Sequence, residues 1–261
     1  MTLDIHTHAF HPKIASKVLG QLEAHYGIAP VGTGLADDLL KRLDAAGIGR
    51  AAVLVAATSP AQVIPANNWA LELAAAEPRI IPFGTIHPGF ADFEAELARL
   101  HRAGVKGLKL HADFQGFRLD DPALFPILES AAGRFAVLFH VGDRLPPGLN
   151  PSCPATLAAL KRAFPKLTVI AAHLGGYLHW AQALLHLAGT DVYLDTSSSL
   201  PFIDDRLLTA ILDRHPPERV LFGSDYPLFD PGEELQRLRS RLRLGSERMD
   251  LLLNAGERLL G

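Results

Sequence analysis

Short runs of aliphatic and β-branched residues alternate along the chain with longer segments in which apolar residues recur every three or four positions. The short runs are typical of buried strands, and the longer segments are typical of helices with one apolar face. Eight runs occur, starting at residues 2, 50, 80, 105, 136, 167, 191 and 219: TLDIHTH, RAAVLVAAT, IIPFGTIHP, VKGLKLHA, AVLFHVG, LTVIAAHLGG, DVYLDTSSS and RVLFGSDYP. This alternation predicts βα units and a parallel sheet.

Helical periodicity fills the segments between these runs. Helices are predicted near residues 36–47, 62–77, 91–103, 121–133, 154–164, 178–188 and 203–214, with a final pair from residue 232 onward. Eight parallel strands, each followed by a helix, in about 250 residues predict a single-domain (β/α)8 TIM barrel over residues 1–261. A doubly wound open sheet is the alternative, but it usually has fewer strands and a Gly-rich phosphate turn, which this sequence lacks.

Three connections are longer than the others. Residues 9–35 form an insertion after the first strand, predicted as one helix flanked by a Gly-rich loop. Long loops also follow the fourth strand (113–121) and the fifth strand (143–154). Because βα loops lie at the C-terminal face of a barrel, where active sites are built, these three segments are expected to form pocket walls.

Composition narrows the classes of partner. The chain is 48% hydrophobic and 20% charged with a net charge of −3, so no basic surface for nucleic acid is expected. One cysteine, Cys153, excludes an intrachain disulfide framework and fits a reducing compartment. With no signal peptide pattern and no apolar run near the roughly 20 residues of a membrane span, a cytoplasmic protein with a small-molecule substrate is expected. The apolar stretch 178–189 would suit either a homodimer interface or packing on its own barrel.

Polar side chains appear where the otherwise apolar strands end. These residues are His6, His8, His87, Lys109, His111, His140, His173, Asp195 and Asp225, and they include six of the twelve histidines. The carboxyl ends of all eight strands meet at one mouth of a barrel. The sequence therefore predicts one polar site at that mouth.

Two histidines in the first strand set the chemistry of this site. His6 and His8 are two residues apart, so in an extended chain their imidazoles share one face. At the barrel mouth they would be buried beside four more polar side chains: Lys109, His140, His173 and Asp225. Burying such a cluster without compensation would cost several kcal/mol of folding free energy, so a cation or a tight hydrogen-bond network must offset that cost. Imidazole and carboxylate ligands favour a divalent metal, zinc first, with manganese or iron as alternatives.

Other polar residues have plainer interpretations. His87 is expected to anchor a loop or form a pocket wall, and His111 would equally suit a cap on the loop after the fourth strand. Asp195 could simply begin a turn, because the residues of DTSSS hydrogen-bond nearby backbone. Asp4 is expected to share the face of His6 and either to orient an imidazole or to make a plain core hydrogen bond.

Five motifs carry a resemblance to a known family: DIHTH, GLKLH, FHVG, AHLGG and FGSDYP. In this order and across the whole chain, they resemble the amidohydrolase superfamily. More specifically, they are similar to the amidohydrolase-related branch of metal-dependent hydrolases, which also contains nonoxidative decarboxylases of aromatic acids. The resemblance implies a divalent metal bound by four residues: His6, His8, His140 and Asp225.

The resemblance leaves the number of metal ions open. It implies that His173 either binds a second metal or hydrogen-bonds the substrate and the attacking water. Lys109 stands where some family members have a carboxylated lysine or a glutamate that bridges two metals. With an unmodified Lys109, one metal ion is the simpler expectation.

The expected activity is hydrolysis of a small-molecule amide, ester or lactone by metal-activated water, with Asp225 as the general base and His173 stabilising charge or holding the water. The alternative is nonoxidative decarboxylation or hydration of a small aromatic or unsaturated carboxylic acid on the same metal site. A noncatalytic barrel that binds metal or ligand is a further hypothesis. The candidate substrate-binding residues are His87, His111, Arg118, Arg144 and Tyr177.

Overall fold

Eight parallel strands follow one another around the sheet in sequence order. The computed structural model describes residues 2–242 and 244–261. The strands are β1 (Leu3–Thr7), β2 (Arg50–Leu54), β3 (Ile80–Gly84), β4 (Gly107–Leu110), β5 (Ala136–Phe139), β6 (Thr168–Ala171), β7 (Tyr193–Asp195) and β8 (Val220–Leu221). Hydrogen bonds from Ile5 N to Phe222 O and from Asp225 N to His6 O bring the first and last strands together. The sheet is therefore a nearly closed barrel, and the predicted single-domain (β/α)8 fold is confirmed.

Helices occupy the predicted segments, usually a few residues shorter. They are α1 (Ala15–Tyr26), α2 (Ala36–Ala46), α3 (Val63–Ala76), α4 (Phe93–Arg102), α5 (Ala112–Gln115), α6 (Phe125–Ala131), α7 (Pro154–Ala163), α8 (Trp180–His186), α9 (Asp205–Arg214), α10 (Pro231–Arg241), α11 (Ser246–Leu253) and α12 (Ala255–Leu260). The short α5 was not predicted, and the expected final pair of helices is three helices. None of the described helices combines the length and the apolarity that a bilayer crossing requires.

The last two strands are much shorter than their apolar runs suggest. After β7, Ser197 N donates to the Asp195 side chain and Ser199 Oγ donates to the Ser197 carbonyl. These local bonds compete with the sheet ladder and turn the chain out of the strand. After β8 the chain reaches Asp225, whose φ of 66° lies in the left-handed region and cannot continue a strand.

Two layers of apolar side chains hold the barrel together. The larger layer lies between the strands and the helices. The smaller one fills the barrel interior with residues of the strands, including Leu54, Phe83 and Leu138. Ala255 and Leu260 of α12 join this interior layer, and Gly256 lies against Leu3 at the start of β1. Helix α12 therefore covers the end of the barrel opposite the strand carboxyl ends.

We predict that Gly107→Ala destabilises the protein. Gly107 pairs with Phe83 in the neighbouring strand, and a Cβ at Gly107 would overlap the buried Phe83 ring. We expect a loss of about 1–3 kcal/mol in the free energy of unfolding, measured by urea denaturation.

Gly20→Ala is the matched control. Gly20 lies inside helix α1 with open space around it, so alanine should raise stability by about 0.5–1 kcal/mol through helix propensity. Equal effects of the two substitutions would contradict the packing that we describe.

Candidate metal centre

A cavity of about 910 Å³ opens at the carboxyl ends of the strands. Its base contains the polar strand-end residues His6, His8, Lys109, His140, His173 and Asp225. Val18 and Leu22 of α1 form one wall, and Pro65 and Trp69 of α3 form another. The insertion after β1 therefore contributes directly to the cavity.

His6 is held in one tautomer by Asp195. The His6 Nδ1 atom lies 3.0 Å from Asp195 Oδ2, and because a carboxylate only accepts, Nδ1 carries the hydrogen. The Nε2 lone pair then faces the cavity base, 3.2 Å from Lys109 Nζ and 3.5 Å from Asp225 Oδ1. Burial, and then the charge of Lys109, lower the pKa of His6 to about 4. His6 is therefore a neutral ring whose Nε2 lone pair faces the cavity base, where a bound metal would take the place of the Lys109 contact.

A neighbouring strand orients His8 in the same way. The His8 Nδ1 atom lies 3.0 Å from the carbonyl oxygen of Leu54 in β2, so Nδ1 again carries the hydrogen. His8 Nε2 lies 3.5 Å from Asp225 Oδ1. An acceptor that fixes the tautomer from behind is the usual support of a metal-binding histidine.

The three side chains could hold a common divalent ion. One ligand atom from each of His6, His8 and Asp225 lies within 4.8 Å of the others. Two ligands that each bind at about 2.1 Å in tetrahedral geometry lie about 3.4 Å apart. The 3.5 Å separations of Asp225 Oδ1 from both Nε2 atoms match this distance. The donor set of two imidazoles and one carboxylate thus fits a divalent metal.

Asp225 is an ionised carboxylate despite its burial. Burial opposes ionisation, but the neighbouring His6 and the hydrogen bond with His8 outweigh it and hold the pKa of Asp225 well below its usual range. Its Oδ2 atom accepts a hydrogen bond from Ser198 Oγ. One oxygen is therefore fixed by the protein, while Oδ1 faces the two imidazoles.

His140 and His173 form a second pair of rings beside this group. His173 Nε2 lies 3.0 Å from His140 Nδ1, while their outer nitrogens lie 3.0 Å from Ser197 O and 2.8 Å from Gly142 O. Burial lowers the pKa of both imidazoles, so both rings are neutral. Because the two carbonyls take both ring hydrogens, two lone pairs face each other across 3.0 Å. A cation near this pair would relieve the repulsion between them.

The structure does not gather all the predicted ligands into one group. Among the described residues, His140 groups with His111 and Asp113, while His173 groups with His6 and Asp195. The ring centroids of His6 and His173 are 5.2 Å apart, so the groups adjoin. The metal-binding roles predicted for His140 and His173 stay predictions.

Lys109 is buried beside the proposed ligands. Its side chain points into the barrel interior at 1% exposure. Burial lowers the pKa of Lys109 to about 8, although Asp225 and Asp195 partly offset the effect. Its Nζ donates to His6 Nε2. The expectation of one metal ion beside an unmodified Lys109 stays a prediction.

The candidate substrate-binding residues divide into two sets. His111 and Tyr177 line the cavity, whereas His87, Arg118 and Arg144 lie outside its lining. Arg118 pairs with Asp120 on the surface and is about half exposed.

His87 and Arg144 hold loops in place. His87 Nε2 lies 3.0 Å from Gln115 O, and its Nδ1 accepts from Gly89 N, so the ring anchors the loop after β3. The Arg144 guanidinium donates to the carbonyl of Tyr26 at the end of α1.

Sequence reasoning undervalued Asp195 and left two roles open for Asp4. Asp195 does begin the turn after β7, but it also fixes His6 and accepts from His173 N at 3.1 Å. Asp4 accepts from the backbone N–H groups of His6 and Ser224, so it makes a core hydrogen bond and does not orient an imidazole. Burial raises the pKa of Asp4 to about 7. The signal for Asp195 was its place at a strand carboxyl end, directly before three serines.

The family model described as Amidohydrolase matches residues 3–256. The chain belongs to the amidohydrolase family. Among curated proteins, none matches the chain.

Solved structures resemble this amidohydrolase over nearly its whole length. An uncharacterised TIM-barrel protein of Bordetella bronchiseptica has a TM-score of 0.79 at 20% identity, covering 99% of this chain and 98% of its own. A protein of Pseudomonas putida has a TM-score of 0.70 at 19% identity, covering 100% of this chain and 97% of its own. A 2-pyrone-4,6-dicarboxylic acid hydrolase activity is assigned to that protein but not proven. A manganese-bound 5-carboxyvanillate decarboxylase of Novosphingobium aromaticivorans has a TM-score of 0.73 at 15% identity, covering 100% and 97%. At these identities the likeness shows the fold alone.

We predict that Asp195→Asn weakens zinc binding roughly 10- to 100-fold. An amide can turn a donor toward His6 Nδ1 and so favour the wrong tautomer. The measurement is zinc affinity by competition with a chelating dye. Asp191→Asn, at an exposed aspartate paired with Lys161, is the control and should bind zinc like the wild type. Equal affinity of the two variants would show that Asp195 does not orient a ligand.

Proposed function

We propose that this amidohydrolase is a metal-dependent hydrolase that cleaves an amide, ester or lactone bond of a small molecule with activated water. The observation that carries the proposal is the convergence of His6 Nε2, His8 Nε2 and the Asp225 carboxylate at the base of a 910 Å³ cavity. A cavity of this volume suits a small molecule. The open mouth distinguishes it from a structural metal site closed by protein ligands.

His6, His8 and Asp225 would hold the ion, with His140 as the further ligand that the family pattern implies. When bound, a divalent ion lowers the pKa of water to about 7 and polarises a substrate carbonyl. Zinc is our first candidate, and manganese or iron would also suit imidazole and carboxylate ligands. The manganese bound to one structural relative supports a divalent ion of this kind. With an unmodified Lys109, we propose one ion.

The chain's own groups would move the proton. Asp225 is ionised and held by Ser198, so it is placed to accept a proton from the attacking water and to return it to the leaving group. His173 is proposed to orient that water through its Nε2 lone pair. The apolar walls of α1 and α3 would exclude bulk water around the reacting bond.

His111 and Tyr177 are our proposed substrate contacts because both line the cavity. Binding roles for His87, Arg118 and Arg144 remain predictions, since each side chain holds a loop or a surface carboxylate in this structure.

We further propose that the protein has no nucleic-acid partner and is cytoplasmic. Exposed Leu178 and Leu185 would suit the predicted homodimer.

Nonoxidative decarboxylation of an aromatic acid is the second candidate. It is favoured by the aromatic side chains of Phe10, Trp69 and Phe114 in the cavity wall. Structural relatives whose names describe decarboxylases of dihydroxybenzoate and carboxyvanillate support the same reading. The same metal site would bind the acid, and carbon dioxide would leave in place of a hydrolysed fragment.

We predict that turnover depends on both the metal and Asp225. Chelation of the purified protein should abolish turnover of any active compound in a panel of lactones, amides and aromatic acids, and zinc or manganese should restore it. Asp225→Asn removes the proton acceptor and should lower kcat by about 100-fold or more. The measurements are metal content by mass spectrometry and steady-state kinetics.

Asp213→Asn, at an exposed aspartate on α9, is the control and should behave like the wild type. Full activity of the metal-free protein would refute the proposed function.

The two reactions are separated by their products. Hydrolysis should yield a new carboxylic acid with no gas release, whereas decarboxylation should release one carbon dioxide for each substrate consumed. A coupled carbon dioxide assay on every active compound makes the distinction. Release of carbon dioxide would replace the first proposal with the second.

A further inference from the structure

Tyr26, the last residue of α1, reaches from the insertion into the base of the cavity. Tyr26 is 8% exposed, and its ring centroid lies about 6 Å from the ring centroids of Phe114, His140 and Tyr177. Its hydroxyl oxygen lies 3.4 Å from His111 Nε2. An element outside the barrel strands therefore places a phenol beside the proposed metal centre.

The other hydrogen bond of the His111 ring shows whether His111 or the Tyr26 hydroxyl is the donor in the contact between them. Phe114 N donates to His111 Nδ1, so this nitrogen carries a lone pair. An imidazole that accepts a hydrogen bond at Nδ1 is uncharged and carries a single ring hydrogen. Its hydrogen is therefore on Nε2, and His111 donates to the Tyr26 oxygen.

The Tyr26 hydroxyl must then direct its own hydrogen elsewhere. In the part of the chain that the structure describes, the contact with His111 is the hydrogen bond of this hydroxyl, and no acceptor for its hydrogen is found. Burial, followed by the charges of Asp143 and Asp225, raises the pKa of Tyr26 well above its usual value. A buried O–H without a protein acceptor is costly unless water or a ligand in the cavity accepts from it.

Contacts from the barrel loops fix the end of α1 in this position. The Arg144 guanidinium donates to the Tyr26 carbonyl, and His25 Nε2 lies 2.8 Å from Asp143 Oδ2. Both Arg144 and Asp143 belong to the loop after β5. Arg144 therefore holds the backbone of Tyr26, and Asp143 holds the preceding residue, His25. His111 holds the Tyr26 hydroxyl.

We propose that Tyr26 donates a hydrogen bond to an oxygen atom, anionic or carbonyl, of the molecule bound in the cavity. The proposal rests on the proposed function only in taking this cavity as the substrate site. The aromatic walls of Phe10, Trp69 and Phe114 and the buried cation of Lys109 make a small aromatic carboxylate a suitable probe.

The test compares benzoate binding to the wild type, Tyr26→Phe and Tyr193→Phe by isothermal titration calorimetry. Tyr26→Phe removes only the hydroxyl and should weaken binding roughly 10- to 100-fold, as expected for a hydrogen bond to a charged acceptor. Tyr193 lies in β7 with the Arg219 guanidinium over its ring, outside the cavity lining. Tyr193→Phe should therefore bind benzoate like the wild type.

Equal affinity of the wild type and Tyr26→Phe, or no benzoate binding to the wild type, would overturn the proposal. A crystal structure of the wild type with benzoate provides a readout that needs no variant: a carboxylate oxygen should lie within about 3 Å of the Tyr26 hydroxyl oxygen, and benzoate bound away from Tyr26 would also overturn it. Metal content is measured in the same samples and should be equal in all three proteins. Because turnover is not part of the readout, a lack of metal-dependent activity would refute the proposed function without deciding the role of Tyr26.

Discussion

The placement of hydrogens on the buried imidazoles is the constraint on which the centre of this molecule depends. Each ring has one hydrogen when neutral, and acceptors supplied by the strands decide which nitrogen carries it. Asp195 and the Leu54 carbonyl take the hydrogens of His6 and His8, so both remaining lone pairs face Asp225. Burial keeps the His6 ring neutral, because it penalises the charged form. Closure of the barrel brings these acceptors behind the rings, so the fold and the chemistry share one cause.

Much of the fold could be predicted because it depends on local pattern. The alternation of apolar runs with helical periodicity gave all eight strands, and the polar residues at their ends marked the mouth of the barrel. The exceptions arise where side chains compete with the ladder, as after β7, or where the register changes. In β1 the pairing with β2 is irregular between Asp4 and Thr7. As a result, the neighbours Ile5 and His6 both face inward, one in the apolar interior and one in the cavity, which strict alternation does not allow.

The site was less predictable because its decisive contacts join residues far apart in sequence. His6 and Asp195 are separated by 189 positions, and Tyr26 and His111 by 85. Histidine spacing in the first strand indicated metal chemistry, but no local signal shows which acceptor lies behind a ring. The insertion was expected to form a pocket wall. Which residue of α1 faces the cavity, however, depends on how the loop after β5 holds the C-terminal end of α1. Arg144 illustrates this limit, since no local signal showed that its guanidinium donates to the carbonyl of Tyr26.

Helix α12 gives the barrel a sealed floor, with Ala255 and Leu260 packed into the same interior layer as the strands. Among the described residues, α12 closes this end of the barrel. Substrate and product would therefore enter and leave through the opposite mouth, which lies between α1 and α3. An inserted segment at the cavity mouth can change in length or composition without disturbing the packed barrel core below it. Selectivity can thus change through the entrance while α12 and the proposed metal centre stay the same.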